Sequence, residues 1–340
     1  MITPARIKTM LSAALGAVVF VWLGLPLPLL MGPMMGCLVF ALAGMKMQDL
    51  GVLGILFRTF LGVLIGSNVT PELLHSLPTH WPTLLVIPLY ILAIGAIGFP
   101  FLHKVMGFDP VTSYYAALPG GLQDMVLFGE AGGGDVRAMS LIHATRIVVI
   151  LTLVPFLMAF VLDLELTRPP GVRAIDTPLR DIILFIFAGV AGWKIAERVG
   201  MVGASLLGPL ILTAALELSG VVTSRPPVEM IWIAQLSIGM AIGTKYSGIT
   251  AKELREDVVA GLLFSLLLAG LSVGFILIIL QFRSGSDLNI WLSFLPGGQA
   301  EMAMIAILAG ADVGFVVAHH VLRLFTVILF APVVMRLFNK

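Results

Sequence analysis

The stretch Leu118-Pro119-Gly120-Gly121-Leu122-Gln123-Asp124-Met125 decides how this chain is read, because it returns as Leu295-Pro296-Gly297-Gly298-Gln299-Ala300-Glu301-Met302. Asp135, His143, Arg146 and Pro155 follow the first copy. Asp312, His320, Arg323 and Pro332 follow the second at the same offset, with no gap. Each Pro-Gly-Gly cuts an apolar segment, 111–131 or 287–309, that is otherwise long enough to cross a bilayer. Proline lacks an amide donor and clashes with the preceding turn, and each glycine costs roughly 1 kcal/mol inside a helix, so two broken helices are expected. Broken backbone at membrane depth needs protein or a watery cavity to satisfy its freed groups, and a matched pair of such segments points to a transporter's central site.

Outward from the breaks the repetition continues. Leu30-Met31-Gly32-Pro33 is matched by Leu206-Leu207-Gly208-Pro209, and Gly62 with Gly66 by Gly239 with Gly243. Two homologous membrane repeats are therefore expected, 1–163 and 179–340, joined by a polar linker at 164–178. Each should hold about five spanning helices, at 9–25, 30–45, 51–67, 83–105 and 136–161, then 180–197, 202–220, 230–244, 258–281 and 313–337. The Pro-Gly-Gly segment of each adds one broken or re-entrant helix. If it re-enters, the repeats are inverted, and the distribution of Lys and Arg between loops favours that arrangement over parallel repeats. The Gly-x-x-x-Gly pairs are read as close helix packing.

Composition agrees with a membrane solvent. The 340 residues are 59% hydrophobic and 11% charged, with a mean hydropathy of +1.06. A soluble domain carries about 25% charged residues. The expected class is an all-α polytopic membrane protein of the bacterial inner membrane. Arg6 and Lys8 ahead of an apolar run look like a secretory signal, but no small-residue cleavage site follows, so this stretch is read as the first helix. A net charge of +1 without a long basic run gives no footprint for nucleic acid. The single cysteine, Cys37, can form neither an internal disulfide nor a thiolate cluster.

The candidate binding residues cluster at the breaks. Pro119, Gly120 and Gly121, with Pro296, Gly297 and Gly298, would start helices at mid-membrane with unsatisfied amides that favour an anion, and Gln123 and Gln299 would be neutral donors there. Asp124 and Glu301 either satisfy those amides as caps or, with a pKa raised by burial, carry protons. His143 with Arg146, and His320 with Arg323, are three residues apart and project from one helical face. An arginine in lipid must find a carboxylate, carbonyls or a bound anion, so these two neutralise a ligand or hold the bundle together. Asp135 and Asp312 stand where N-caps belong. His319 beside His320 does not make a metal site, since neighbours on a helix point about 100° apart and no third ligand stands at helical spacing. No catalytic residue, metal or cofactor is expected.

The duplicated Leu-Pro-Gly-Gly with its downstream Asp, His-x-x-Arg and Pro resembles the AbrB-type integral membrane family, over essentially the whole chain. That family is defined by this duplication and carries the labels "AbrB family transcriptional regulator" and candidate ammonia monooxygenase. The resemblance implies an effect on gene expression from the membrane, whereas the oxygenase label needs metal ligands this sequence does not present. The leading expectation is a secondary transporter or exporter of a small anionic or polar solute, by alternating access around the two broken helices, with protons as coupling partner. The alternative is a membrane-embedded ligand-binding regulator that does not transport; an enzyme ranks third. Expected partners are the solute, protons and the lipid bilayer, with a homo-oligomer left open.

Overall fold

The computed structural model describes residues 3–71, 80–160, 166, 172–201, 203–282 and 287–338, apart from the side chains of Gln123 and Ala300 and those beyond Met335. Among the described residues the regular structure is entirely helical. In chain order the principal helices are α1 (Pro4–Trp22), α2 (Pro28–Leu42), α3 (Val52–Gly66), α4 (Trp81–Val105), α5 (Pro110–Ala117), α6 (Leu122–Ala131) and α7 (Val136–Phe160). They continue with α8 (Leu179–Arg198), α9 (Ala204–Leu218), α10 (Val228–Gly243), α11 (Ala251–Gln281), α12 (Asp287–Phe294), α13 (Gln299–Ala309) and α14 (Val313–Phe338).

Five of these, α1, α4, α7, α11 and α14, are long and apolar enough to cross a membrane. The sequence leads one to expect ten spans; the other five expected stretches also form helices, of which four are short and one is charged. Helices α2, α3 and α9 have 15 residues and α10 has 16. At 1.5 Å per residue these reach about 23 Å, short of a hydrocarbon core of about 30 Å. Backbone conformation sets where α2 and α9 begin. Leu27, the N-cap of α2, lies in the left-handed region at φ 49°, and Gly203, the N-cap of α9, at φ 67°. Neither position can extend its helix backwards. Helix α8 has the length to cross but carries Arg180, Asp181, Lys194, Glu197 and Arg198. Apolar side chains such as Val18, Trp22, Leu92, Leu266 and Ile278 are exposed along the long helices, an arrangement suited to hydrocarbon rather than water.

The chain forms two compact units, and each draws on both halves of the sequence. One comprises Met1–Ser76, Val154–Ile249 and Ala303–Gly314; the other comprises Leu77–Leu153, Thr250–Met302 and Phe315–Lys340. The boundary expected at 163 and residues 164, 165 and 167–171 of the linker lie outside the described residues.

In the first unit the Gly-x-x-x-Gly helices interlock across the halves. A Cβ on Gly62 would collide with Leu206 O and stand 3.0 Å from Pro209 Cβ, so α3 rests directly on α9. Gly239 stands to Leu30 O and Pro33 in the same way, so α10 rests on α2. The Leu-x-Gly-Pro matches are thus the seats of the Gly-x-x-x-Gly matches, each from the opposite half. Backbone-to-backbone approach of this kind is open only to residues without a side chain.

The second unit has its own apolar core, including Tyr90, Ile94, Ala117, Met125, Ile142, Phe264 and Phe294. Buried hydroxyls need partners, and they find them across the halves. Tyr90 donates to Phe294 O (2.8 Å) and meets Ser272 Oγ (2.6 Å), while Tyr114 donates to Ala331 O (3.0 Å). Asp109 caps α5 through Thr112 N (2.9 Å), and Asp135 accepts from Arg137 N and Ala138 N (2.8 and 3.0 Å) at the start of α7. That is the cap position read from the sequence.

Candidate functional site

Every residue of the candidate set belongs to the second unit. Helix α5 stops at Ala117, Leu118 and Gly121 adopt extended backbone, and α6 starts at Leu122. In the second copy α12 stops at Phe294 and α13 starts at Gln299. A helix that ends inside protein leaves carbonyls without partners and a negative dipole end, which a cation with several N–H groups can satisfy.

The histidine–arginine pairs do this in both copies. His143 Nε2 donates to Tyr115 O (3.2 Å) and Arg146 Nη1 to Leu118 O (3.3 Å). His320 Nε2 donates to Leu292 O (2.9 Å) and Arg323 Nη1 to Leu295 O (3.2 Å). All four side chains are buried; the two arginines are 3% and 4% exposed. The ion pairs among the described residues, Arg137–Glu253, Lys194–Glu197, Lys252–Glu256 and Arg255–Glu256, include neither guanidinium. The two arginines lie within electrostatic reach of each other and of Tyr90, and Glu301 within reach of Arg146. One buried, predominantly cationic centre thus collects groups from both copies.

The glycines fit around the start of the second half-helix. Asp124 and Glu301 stand in the first turns of α6 and α13. Each folds its carboxylate back over the break, so that a Cβ on Gly121 would collide with Asp124 Oδ2, and one on Gly298 with Glu301 Oε2. The other glycine faces a methionine. A Cβ on Gly120 would lie 2.8 Å from Met125 Sδ, and one on Gly297 2.9 Å from Met302 Sδ. Both methionines are fully buried. Pro119 and Pro296 are buried within the breaks. The side chain of Gln123 lies outside the described residues, and the amide Nε2 of Gln299 is buried with no hydrogen-bond partner.

The two copies differ where their letters do not. Arg323 Nη2 donates to Gly297 O (2.7 Å) and to His320 Nδ1 (2.8 Å). Because a carbonyl can only accept, His320 carries its proton on Nε2, which leaves Nδ1 free to accept from the arginine. Among the described residues neither bond has a counterpart in the first copy, where Arg146 Nε and His143 Nδ1 are buried without hydrogen-bond partners.

Sequence reasoning missed Tyr90, Met125 and Met302. A tyrosine in the middle of an apolar span is a signal for Tyr90, and the matched methionines were visible in the repeated stretch. His319, beside the paired histidine, uses Nδ1 on Phe315 O (2.8 Å) and Nε2 on Thr83 Oγ1 (2.9 Å), which occupies both ring nitrogens.

Among known proteins, the chain is similar to one of Escherichia coli (strain K12) named "Putative regulator AbrB", at 25% identity over 93% of this chain and 91% of that one. It is also similar to "Uncharacterized protein YhjN" of Bacillus subtilis (strain 168), at 23% identity over 83% of this chain and 77% of that one. Residues 29–339 match the family described as "Transition state regulatory protein AbrB", and the chain belongs to that family.

Proposed function

We propose that the protein is a secondary transporter or exporter of a small organic anion, embedded as a multi-pass protein in the bacterial inner membrane. In this reading the sequence repeats 1–163 and 179–340 are homologous and inverted. The segments 111–131 and 287–309 are the broken helices around which access alternates. The observation that carries the reading is the pair Arg146 and Arg323, buried at two helix interruptions with no carboxylate partner in hydrogen-bonding range among the described residues. Two buried guanidiniums without a hydrogen-bonded carboxylate are costly in a low-dielectric site and favourable around an anion. Asp124 and Glu301 are the proton carriers of the cycle.

The names of the family and of the Escherichia coli relative suggest a second reading, a membrane-embedded regulator that binds the same anion without moving it. Reconstitution into liposomes separates the two. Counterflow with a panel of radiolabelled carboxylates should give saturable flux for at least one, lost in the double variant Arg146→Gln, Arg323→Gln; carboxylate binding without flux would favour the regulator. Asp124→Asn and Glu301→Gln should leave exchange intact and abolish accumulation driven by an imposed pH gradient. Accumulation like that of wild type in both would remove the proton role.

A further inference from the structure

The inference rests on the anion reading above and concerns which copy binds and what it recognises. Among the described residues of the second unit, the buried polar atoms without a hydrogen-bond partner include Arg146 Nε, His143 Nδ1 and Gln299 Nε2. Their chemistry is unequal. Arg146 Nε and Gln299 Nε2 can only donate, whereas His143, which spends its Nε2 proton on Tyr115 O, presents a lone pair at Nδ1 and can only accept. His143 and Arg146 share one face of α7. In the second copy the equivalent histidine nitrogen is filled by Arg323 itself, 2.8 Å away.

We infer that the first copy is the binding half of the centre, and that it takes an α-hydroxycarboxylate, with the carboxylate on Arg146 and the hydroxyl donating to His143 Nδ1. A planar carboxylate matches the fork of a guanidinium, which a spherical halide does not. A hydroxyl suits the histidine better than an ammonium would, because a further positive charge is disfavoured beside two guanidiniums. The second copy, where Arg323 is closed by Leu295 O, Gly297 O and His320 Nδ1, is the fixed half.

The test is thermal melting of the purified full chain in detergent, titrated with sodium lactate, sodium propionate or sodium chloride at matched ionic strength. Lactate should raise the melting temperature at about tenfold lower concentration than propionate, which lacks only the hydroxyl, and chloride should not raise it. His143→Phe should bring the two carboxylates together, Arg146→Gln should abolish both shifts, and Arg323→Lys should keep the lactate preference. Equal half-saturation by lactate and propionate in the wild type, or no shift with either, would overturn the ligand without recourse to any variant. Lactate preference surviving His143→Phe, or shifts surviving Arg146→Gln, would overturn the assignment of residues. Saturable flux of another carboxylate without a lactate shift would remove this ligand and keep the transporter, while a lactate shift without flux would keep the site and remove transport.

Discussion

The two Pro-Gly-Gly centres carry the same His-x-x-Arg and the same carbonyl contacts, yet one is closed and the other is not. Arg323 reaches two backbone carbonyls and a histidine nitrogen, while Arg146 reaches one carbonyl at 3.3 Å and leaves its Nε unsatisfied. The same letters at the same spacing therefore need not be used alike. Once one copy has committed its arginine to holding its own break, the polar capacity left for anything else sits in the other.

The largest expected effect comes from breaking that inequality. Arg323→Gln removes three hydrogen bonds and strands buried acceptors, so it should cost about 3 kcal/mol. Arg146→Gln removes one long bond together with a buried, partly unsatisfied charge, and should cost about 1 kcal/mol or less. Melting temperatures of the two purified variants decide the matter. Equal losses would mean that the copies are energetically equivalent and that the difference in their contacts carries no weight.

How much of this was legible follows from what kind of physics each feature obeys. Proline and glycine in the repeated stretch point to the helix stops at Ala117 and Phe294, whereas the sequence leaves open whether the His-Arg pairs meet carbonyls, a carboxylate or an anion. The Gly-x-x-x-Gly spacing announced close packing but not its partner, since nothing local says that α3 seats on α9 and α10 on α2. Of the ten expected spans, five form helices long and apolar enough to cross, while those at α2, α3, α9 and α10 form helices of 15 or 16 residues, a length that hydropathy alone does not set. Least legible was the inequality of the centres, because His143 and His320, Arg146 and Arg323 are the same letters at the same spacing. Only side-chain direction separates them.

Where the copies are geometrically alike, their responses should be alike, which sharpens the contrast. Gly62→Ala and Gly239→Ala each drive a methyl group into a backbone carbonyl, Leu206 O and Leu30 O respectively. A carbonyl held in a helix cannot swing aside as a side chain can, so the helices must part, at about 2 kcal/mol each. Denaturation in a graded mixture of detergents should return similar losses for the two. A large loss at one and none at the other would show that the asymmetry extends beyond the charged centres into the first unit.

The smallest effect is expected where the copies solve one backbone problem with different residues. Leu27 and Gly203 are the left-handed N-caps of α2 and α9, at φ 49° and 67°. A side chain in that region costs roughly 1–2 kcal/mol, which glycine avoids. Leu27 is 1% exposed, so its burial offsets the strain by about 2 kcal/mol. Leu27→Gly removes both contributions and should change stability by less than about 1 kcal/mol. Gly203→Ala introduces the strain with only a methyl group to bury and should lose about 1 kcal/mol. If Leu27→Gly instead lost as much as a buried leucine is worth, the strain at φ 49° would be negligible and the left-handed cap would cost the first copy nothing. If it stabilised the protein, the leucine would be held there against the fold, and its side chain would have to be needed for something other than stability.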